Sequence, residues 1–210
     1  MKLIVYTVIL ALFANCNGAA VVKSTNKYVE EILHDRFQEV TNRRLFDSFF
    51  LNYNLMADIR IRFYGGKIKN IKDLKRNGLC ANLIGSNEIV IGCALTFRSL
   101  MVEYVGEFKI EENTVLNFFT VSYVGPTDLY VDITSTPQRD KATLSRFIVT
   151  SIGMITVEFS NLEYGGEVFR NLIETKLGDQ IRKQLYEMFT TYFLNSFKSA
   201  LSRQFPSPNK

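Results

Sequence analysis

The side chains able to do chemistry are few, and their spacing excludes most of it. The 210-residue chain contains a single histidine, His34, next to Asp35. A Ser-His-Asp arrangement would have to recruit that histidine from a charged helix face. The chain has no G-x-S-x-G, no H-E-x-x-H, no phosphate loop and no G-x-G-x-x-G. Paired carboxylates occur at Glu30-Glu31 and Glu111-Glu112. Neighbours on a strand point to opposite faces, so an extended Glu111-Glu112 cannot share a site, and both pairs read as solvated surface. No catalytic residue, cofactor or metal site is expected, because zinc needs more than two cysteines without histidine partners. The formal charge of +4 is too mild for a dedicated nucleic-acid binder, so no nucleic-acid partner is expected either.

The cysteines carry a different kind of chemistry. The chain opens MKLIVYTVILALFANCNGAA, with Lys2 ahead of an apolar run from Leu3 to Phe13. That run is too short to span a bilayer and suits a signal peptide over residues 1–18, cleaved after Gly18 or after Cys16; an uncleaved anchor is the alternative. No later stretch reaches the length of a membrane span, so a secreted, extracellular protein without a transmembrane anchor is expected. Cleavage leaves Cys80 and Cys93. Gly85-Ser86-Asn87-Glu88 has turn chemistry, and a hairpin folded about Ser86-Asn87 sets Cys80 directly opposite Cys93 on one face. A disulfide is expected there, favoured by an oxidising route. Two free buried cysteines are the alternative, since a one-residue slip would separate them.

Two further patterns suggest binding. The closing segment carries Phe189, Phe193 and Phe197 at i, i+4 and i+8, with Leu185 and Met188 beside them. Such a stripe is either packed core or the wall of an apolar cavity; rings with Met and Leu make deformable walls for lipophilic ligands. Ile59, Ile61 and Phe63 from the first strand, and Ile32 and Phe37 from the first helix, are candidates for the facing wall. The second pattern is basic. Arg60, Arg62, Lys67, Lys69, Lys72, Lys75 and Arg76 fall within a stretch holding one acid, Asp73. They are either a solvated sheet face with edge lysines that block aggregation or a patch for anionic lipid headgroups, lipopolysaccharide or an acidic partner.

The elements that must position these groups follow from periodicity. Val29, Ile32, Leu33, Phe37 and Val40 form one stripe of an amphipathic helix, capped by Ser24, Thr25 or Asn26. Alternation from Leu55 to Tyr64 predicts a strand ended by Gly65-Gly66. A basic strand or strand pair follows to Ile84. Further strands are expected over Glu88–Phe97, Leu100–Ile110, Thr114–Val124, Asp128–Thr134 and Leu144–Phe159. Short connections argue for a mostly antiparallel meander. A helix from Glu167 to Leu177 should break at Gly178, with a second long helix capped by Asp179. The expected fold is α+β: a strongly curved antiparallel sheet wrapped around a long C-terminal helix and an N-terminal helix, in one domain over residues 19–210.

The stretches YVEEILHDRF, RIRFYGGKIKNIKDLKRNG, CANLIGSNEIVIGCALTF, SLMVEYVGEFKI and DQIRKQLYEMFTTYFLNSFKSALSRQ, in that order, resemble the group 7 mite allergens. These are single-lobe members of the tubular lipid-binding superfamily that includes bactericidal/permeability-increasing protein and the takeout-like hormone carriers. The resemblance runs from about Thr25 to Gln204. It implies the curved sheet around two helices, an apolar interior able to admit a lipid-like ligand, secretion and allergenicity. The hormone carriers' cysteine pair near the mature N-terminus is missing, which points to the allergen branch. The sequence therefore leads to a non-enzymatic protein that sequesters a lipid or other lipophilic ligand, with an anionic, lipopolysaccharide-like ligand among the candidates. The alternative is an interaction module with a packed core that binds an acidic partner through a basic sheet face.

Overall fold

The computed structural model describes residues 25–34, 46–54, 58–85, 88–110, 114–136, 142–162 and 166–202. The expected signal segment, Phe37 and Val40 lie outside them. Residues 25–34 form a helix, α1. Ten strands follow: β1 (Phe49–Asn54), β2 (Asp58–Lys69), β3 (Leu74–Arg76), β4 (Ala81–Ile84), β5 (Ile89–Phe97), β6 (Leu100–Ile110), β7 (Thr114–Val124), β8 (Thr127–Ser135), β9 (Ala142–Ser151) and β10 (Ile155–Ser160). The chain closes with α2 (Gly166–Met188), a π-helical segment (Phe189–Phe193) and α3 (Leu194–Ser202). The class is α+β, and the described pairings are all antiparallel.

The strands divide into two sheets, ordered β1-β2-β6-β7-β10 and β3-β5-β8-β9, with β4 also paired to β5. These are two halves of one set of long ribbons. β6 and β7 pair from Ile110↔Thr114 to Leu100↔Val124, and β5 and β8 continue from Phe97↔Thr127 to Ile89↔Ser135 without slipping a residue. The ribbons turn together at Arg98-Ser99, Gly125-Pro126 and Ile152–Met154. Pro126 has no N–H to give a ladder. At the same level Gly153 packs on Gly125, where an added Cβ would lie 2.4 Å from the Gly125 carbonyl carbon. The Gly125 N–H donates to the Met154 carbonyl at 2.9 Å, fixing the corner. This corner corrects the single strand expected over Leu144–Phe159, which is β9 and β10 in different sheets. Its apolar residues alternate on both sides of the corner, so periodicity alone runs straight through it.

Gly65-Gly66 does not end β2. The strand runs on, and its pairing with β6 shifts by one residue between Tyr64 and Lys67. Gly65 takes φ 67°, the left-handed value glycine tolerates. Gly66 lets Tyr104 approach to where a Cβ would clash, at 2.6 Å. The extra residue changes the strand's parity. Ile61, Phe63 and Ile68 are therefore all buried, while Arg60, Arg62, Lys67 and Lys69 all face outward. β1, which pairs Phe49 with Phe63, was not expected from the sequence.

Nor does Gly178 break the last helix. It sits mid-α2, with Ile155 of β10 3.9 Å from where its Cβ would be. Leu177 and Ile181 on either side are fully buried, and that packing outweighs glycine's penalty of about 1 kcal/mol. The buried row is Ile173, Leu177, Ile181, Leu185, Phe189, Phe193, Phe197 and Leu201, none above 3% exposed. A strict four-residue spacing drifts about 40° per step around an α-helix. The π segment, with its wider turn, takes up part of this drift at Phe189–Phe193 and keeps the row facing the sheet.

Candidate functional site

The described residues of the expected apolar wall are buried and pack on one another. Leu185, Met188, Phe189, Phe193, Phe197, Ile61, Phe63 and Ile32 are 0–2% exposed and share one core. Phe189 stacks on Phe97 of β5 at 5.4 Å, and Phe193 meets Phe97, Phe147 and Phe189 at 5.6, 6.1 and 5.7 Å. Phe63 belongs to a second cluster, against Phe49 at 5.0 Å, Phe118 at 5.8 Å and Tyr104 at 6.2 Å. The two walls thus lie in the two halves of the sheet. Ile59 pairs with Tyr53 across β1 and β2. Phe37 falls outside the described residues.

A polar peg joins the helix to the first half-sheet. The Tyr104 hydroxyl donates to Gln184 Oε1 at 2.6 Å, and Gln184 Nε2 donates to the Asp47 carbonyl at 3.3 Å. Burial pushes the Tyr104 phenol far above its ordinary value. Phe108 meets Phe169 at 5.6 Å at one end of α2, and Phe97 meets Phe189 beyond the other. The helix therefore runs antiparallel to the β6–β5 ribbon. Between these contacts the ribbon advances about 36 Å and the helix about 30 Å, so the helix lies along most of the ribbon's length.

The basic residues fall in two groups along the chain. Arg60, Arg62, Lys67 and Lys69 lie on the outer face of β2. Lys69 is paired to Glu103 at 2.5 Å. Lys72, Lys75 and Arg76 lie beyond it, around a surface pocket of about 600 Å³ between α1 and β3. Its remaining lining is Glu30, Leu33, His34 and Leu74. Leu33 and Leu74 form an apolar floor under three cations. Arg76 is held by Glu30 at 2.5 Å and also donates to the Gly78 carbonyl. Its Nε is buried without a partner. Behind the floor, Leu74 pairs with Phe97, so the pocket backs onto the Phe97–Phe189–Phe193 cluster. Leu33 and His34 carried a signal in the α1 stripe and its margin. Leu74, a lone apolar residue between Asp73 and Lys75, was missed; alternation along a three-residue strand is too short to show it.

The cysteines hold this pocket in place. Cys80 and Cys93 form the expected disulfide, with Cα atoms 4.5 Å apart. β4 pairs Ala81↔Gly92 and Asn82↔Ile91, the register that continues to Cys80↔Cys93. From this strapped edge, the Cys80 N–H donates to Asn26 Oδ1 at 3.0 Å and Asn82 Nδ2 to Thr25 Oγ1 at 3.2 Å, both on α1. One wall of the pocket is thus tied by side-chain bonds to a disulfide-bridged edge.

Among the described residues, no helix is long and apolar enough to cross a membrane, and no three or more His, Cys, Asp or Glu side chains gather to hold a metal. No family model matches the chain, and no curated protein matches it. Solved structures do. One is a lipopolysaccharide binding protein, at 12% identity and TM-score 0.45 over 86% of this chain and 40% of that one. Another is Takeout 1 of Epiphyas postvittana, at 14% identity and TM-score 0.29 over 74% of each chain. The chain thus spans 40% of the length of the lipopolysaccharide binding protein it is similar to.

Proposed function

We propose that this chain is a secreted, non-enzymatic binding protein, one domain over residues 19–210, that sequesters an amphipathic anionic ligand of lipid type. The observation that carries the reading is the pocket between α1 and β3: a floor of Leu33 and Leu74 beneath Lys72, Lys75 and Arg76. An acyl chain on that floor gains about 0.8 kcal/mol per buried CH₂. A carboxylate or phosphate head gains charge-assisted bonds from the rim cations Lys72 and Lys75. A longer tail reaches Phe97 and displaces Phe189 and Phe193 from one another, and Met188, Leu185 and Phe197 make the deeper wall. Secretion is supported by the Cys80–Cys93 disulfide. Membership of the group 7 mite allergens, with the allergenicity it would bring, belongs to the same reading and rests on the stretches quoted from the sequence.

Native mass spectrometry of the protein purified from a lipid-containing host tests this. A one-to-one adduct is expected that organic extraction removes and that fragments as a fatty acid or phospholipid. Neutral lipids only, or no adduct, would count against it.

A further inference from the structure

The outward face of an antiparallel sheet is ordinarily polar. On the first half-sheet, β7 departs from this. On β7 the outward residues include Phe119, Val121 and Tyr123, with Phe119 52% and Tyr123 42% exposed. Across β6, Phe119 pairs with Val105, and Tyr123 with Met101. All of these lie opposite the buried face of Phe118, Thr120, Ser122 and Val124. Phe119, Val121 and Tyr123 form an apolar strip along β7 that no described element covers, with Val105 and Met101 beside it on either side of Glu103, and Glu158 opposite Val121 on β10.

Beside the strip runs a column of cations on β2. Arg62 stands opposite Glu107 and Lys67 opposite Glu103. Arg60 stands opposite another cation, Lys109, and both are exposed. Like charges directly opposed on a sheet repel, so an anion from outside would relieve this pair. The Arg60 guanidinium also lies 4.0 Å over the exposed Phe50 ring, and that of Arg62 lies 5.3 Å from Tyr64. Aromatic side chains half in water, next to arginine and lysine, match the chemistry of a bilayer interface with anionic headgroups. We infer that the outer face of β2, β6 and β7 docks this protein on an anionic lipid surface. The surface is distinct from the α1–β3 pocket, and the inference does not depend on that pocket's ligand.

Co-sedimentation tests it with vesicles of phosphatidylcholine alone and of equal parts phosphatidylcholine and phosphatidylglycerol. The protein is expected to pellet only with the anionic vesicles, and less so as salt rises. Arg60→Gln with Lys109→Gln should weaken binding about fivefold per cation. Phe119→Ser with Tyr123→Ser should weaken it at least as much, while circular dichroism and fatty-acid uptake by the pocket stay as in the parent. Failure to pellet, or equal pelleting of parent and variants, overturns the inference. So does self-association lost in the Phe119→Ser variant without vesicle binding, which would assign the face to a second copy. Binding of polyglutamate that needs the cations but not the rings would assign it to an acidic protein and overturn it likewise.

Discussion

The long helix and the short helix meet the sheet in opposite ways. Along α2, the π segment and α3, every fourth side chain is buried to 3% or less against rings of both half-sheets. α1 buries Val29 and Ile32 fully but leaves Leu33 half-covered, and the gap beside it is a pocket rimmed by cations. The richest apolar pattern in the sequence therefore makes the frame. The poorer one, interrupted by charge, makes the opening. Binding needs unfilled space next to matched chemistry, and an apolar row fitted this closely supplies matched chemistry without the space.

Predictions that break or sharpen this contrast scale with burial. Phe193→Ala removes a ring that touches three others, and should destabilise the fold by about 3–5 kcal/mol in urea denaturation. A loss below about 1 kcal/mol would mean the wall is loose and already a cavity. Replacing both Cys80 and Cys93 by Ala removes a cross-link worth about 2–4 kcal/mol. It should also speed amide exchange in α1 before the long helix, because α1 is tied to the strapped edge. Uniform exchange would dissolve the distinction between frame and opening.

Tyr104→Phe leaves Gln184 with an unmet acceptor and should cost about 1–2 kcal/mol. It also carries a pH signature. The folded phenol is raised above its ordinary value of 10.0, so it stays protonated where the unfolded one ionises. Its contribution is intact below that value and is lost as pH rises towards the folded one. The parent should lose stability above about pH 10 more steeply than Tyr104→Phe. Identical alkaline limbs would contradict the buried peg.

Much of the frame was legible. β6 and β7 lie over the spans expected from their Val, Ile, Thr, Phe and Tyr content, and Cys80 faces Cys93 in the hairpin register that the sequence led us to expect. What escaped was punctuation. Gly65, Gly125, Gly153 and Gly178 look alike in sequence, yet one makes a bulge, two a corner, and one lets a helix approach β10. Only the packing around each decides. The four-residue spacing from Ile173 to Leu201 was a readable sign of a widened helical turn. The pocket was half legible: its cations stood in a run, but Leu74 gains meaning only when β3 brings it beside α1.

The central claim, that the opening takes an amphipathic anion, is tested most directly by displacing a bound apolar dye with a fatty acid and with the alcohol of the same chain length. The parent should favour the acid by tenfold or more, since the headgroup alone meets the rim. In Lys72→Gln with Lys75→Gln, the acid and alcohol should converge while the unfolding midpoint stays unchanged. Equal displacement by acid and alcohol in the parent, or an acid preference that survives in the double variant, would contradict it.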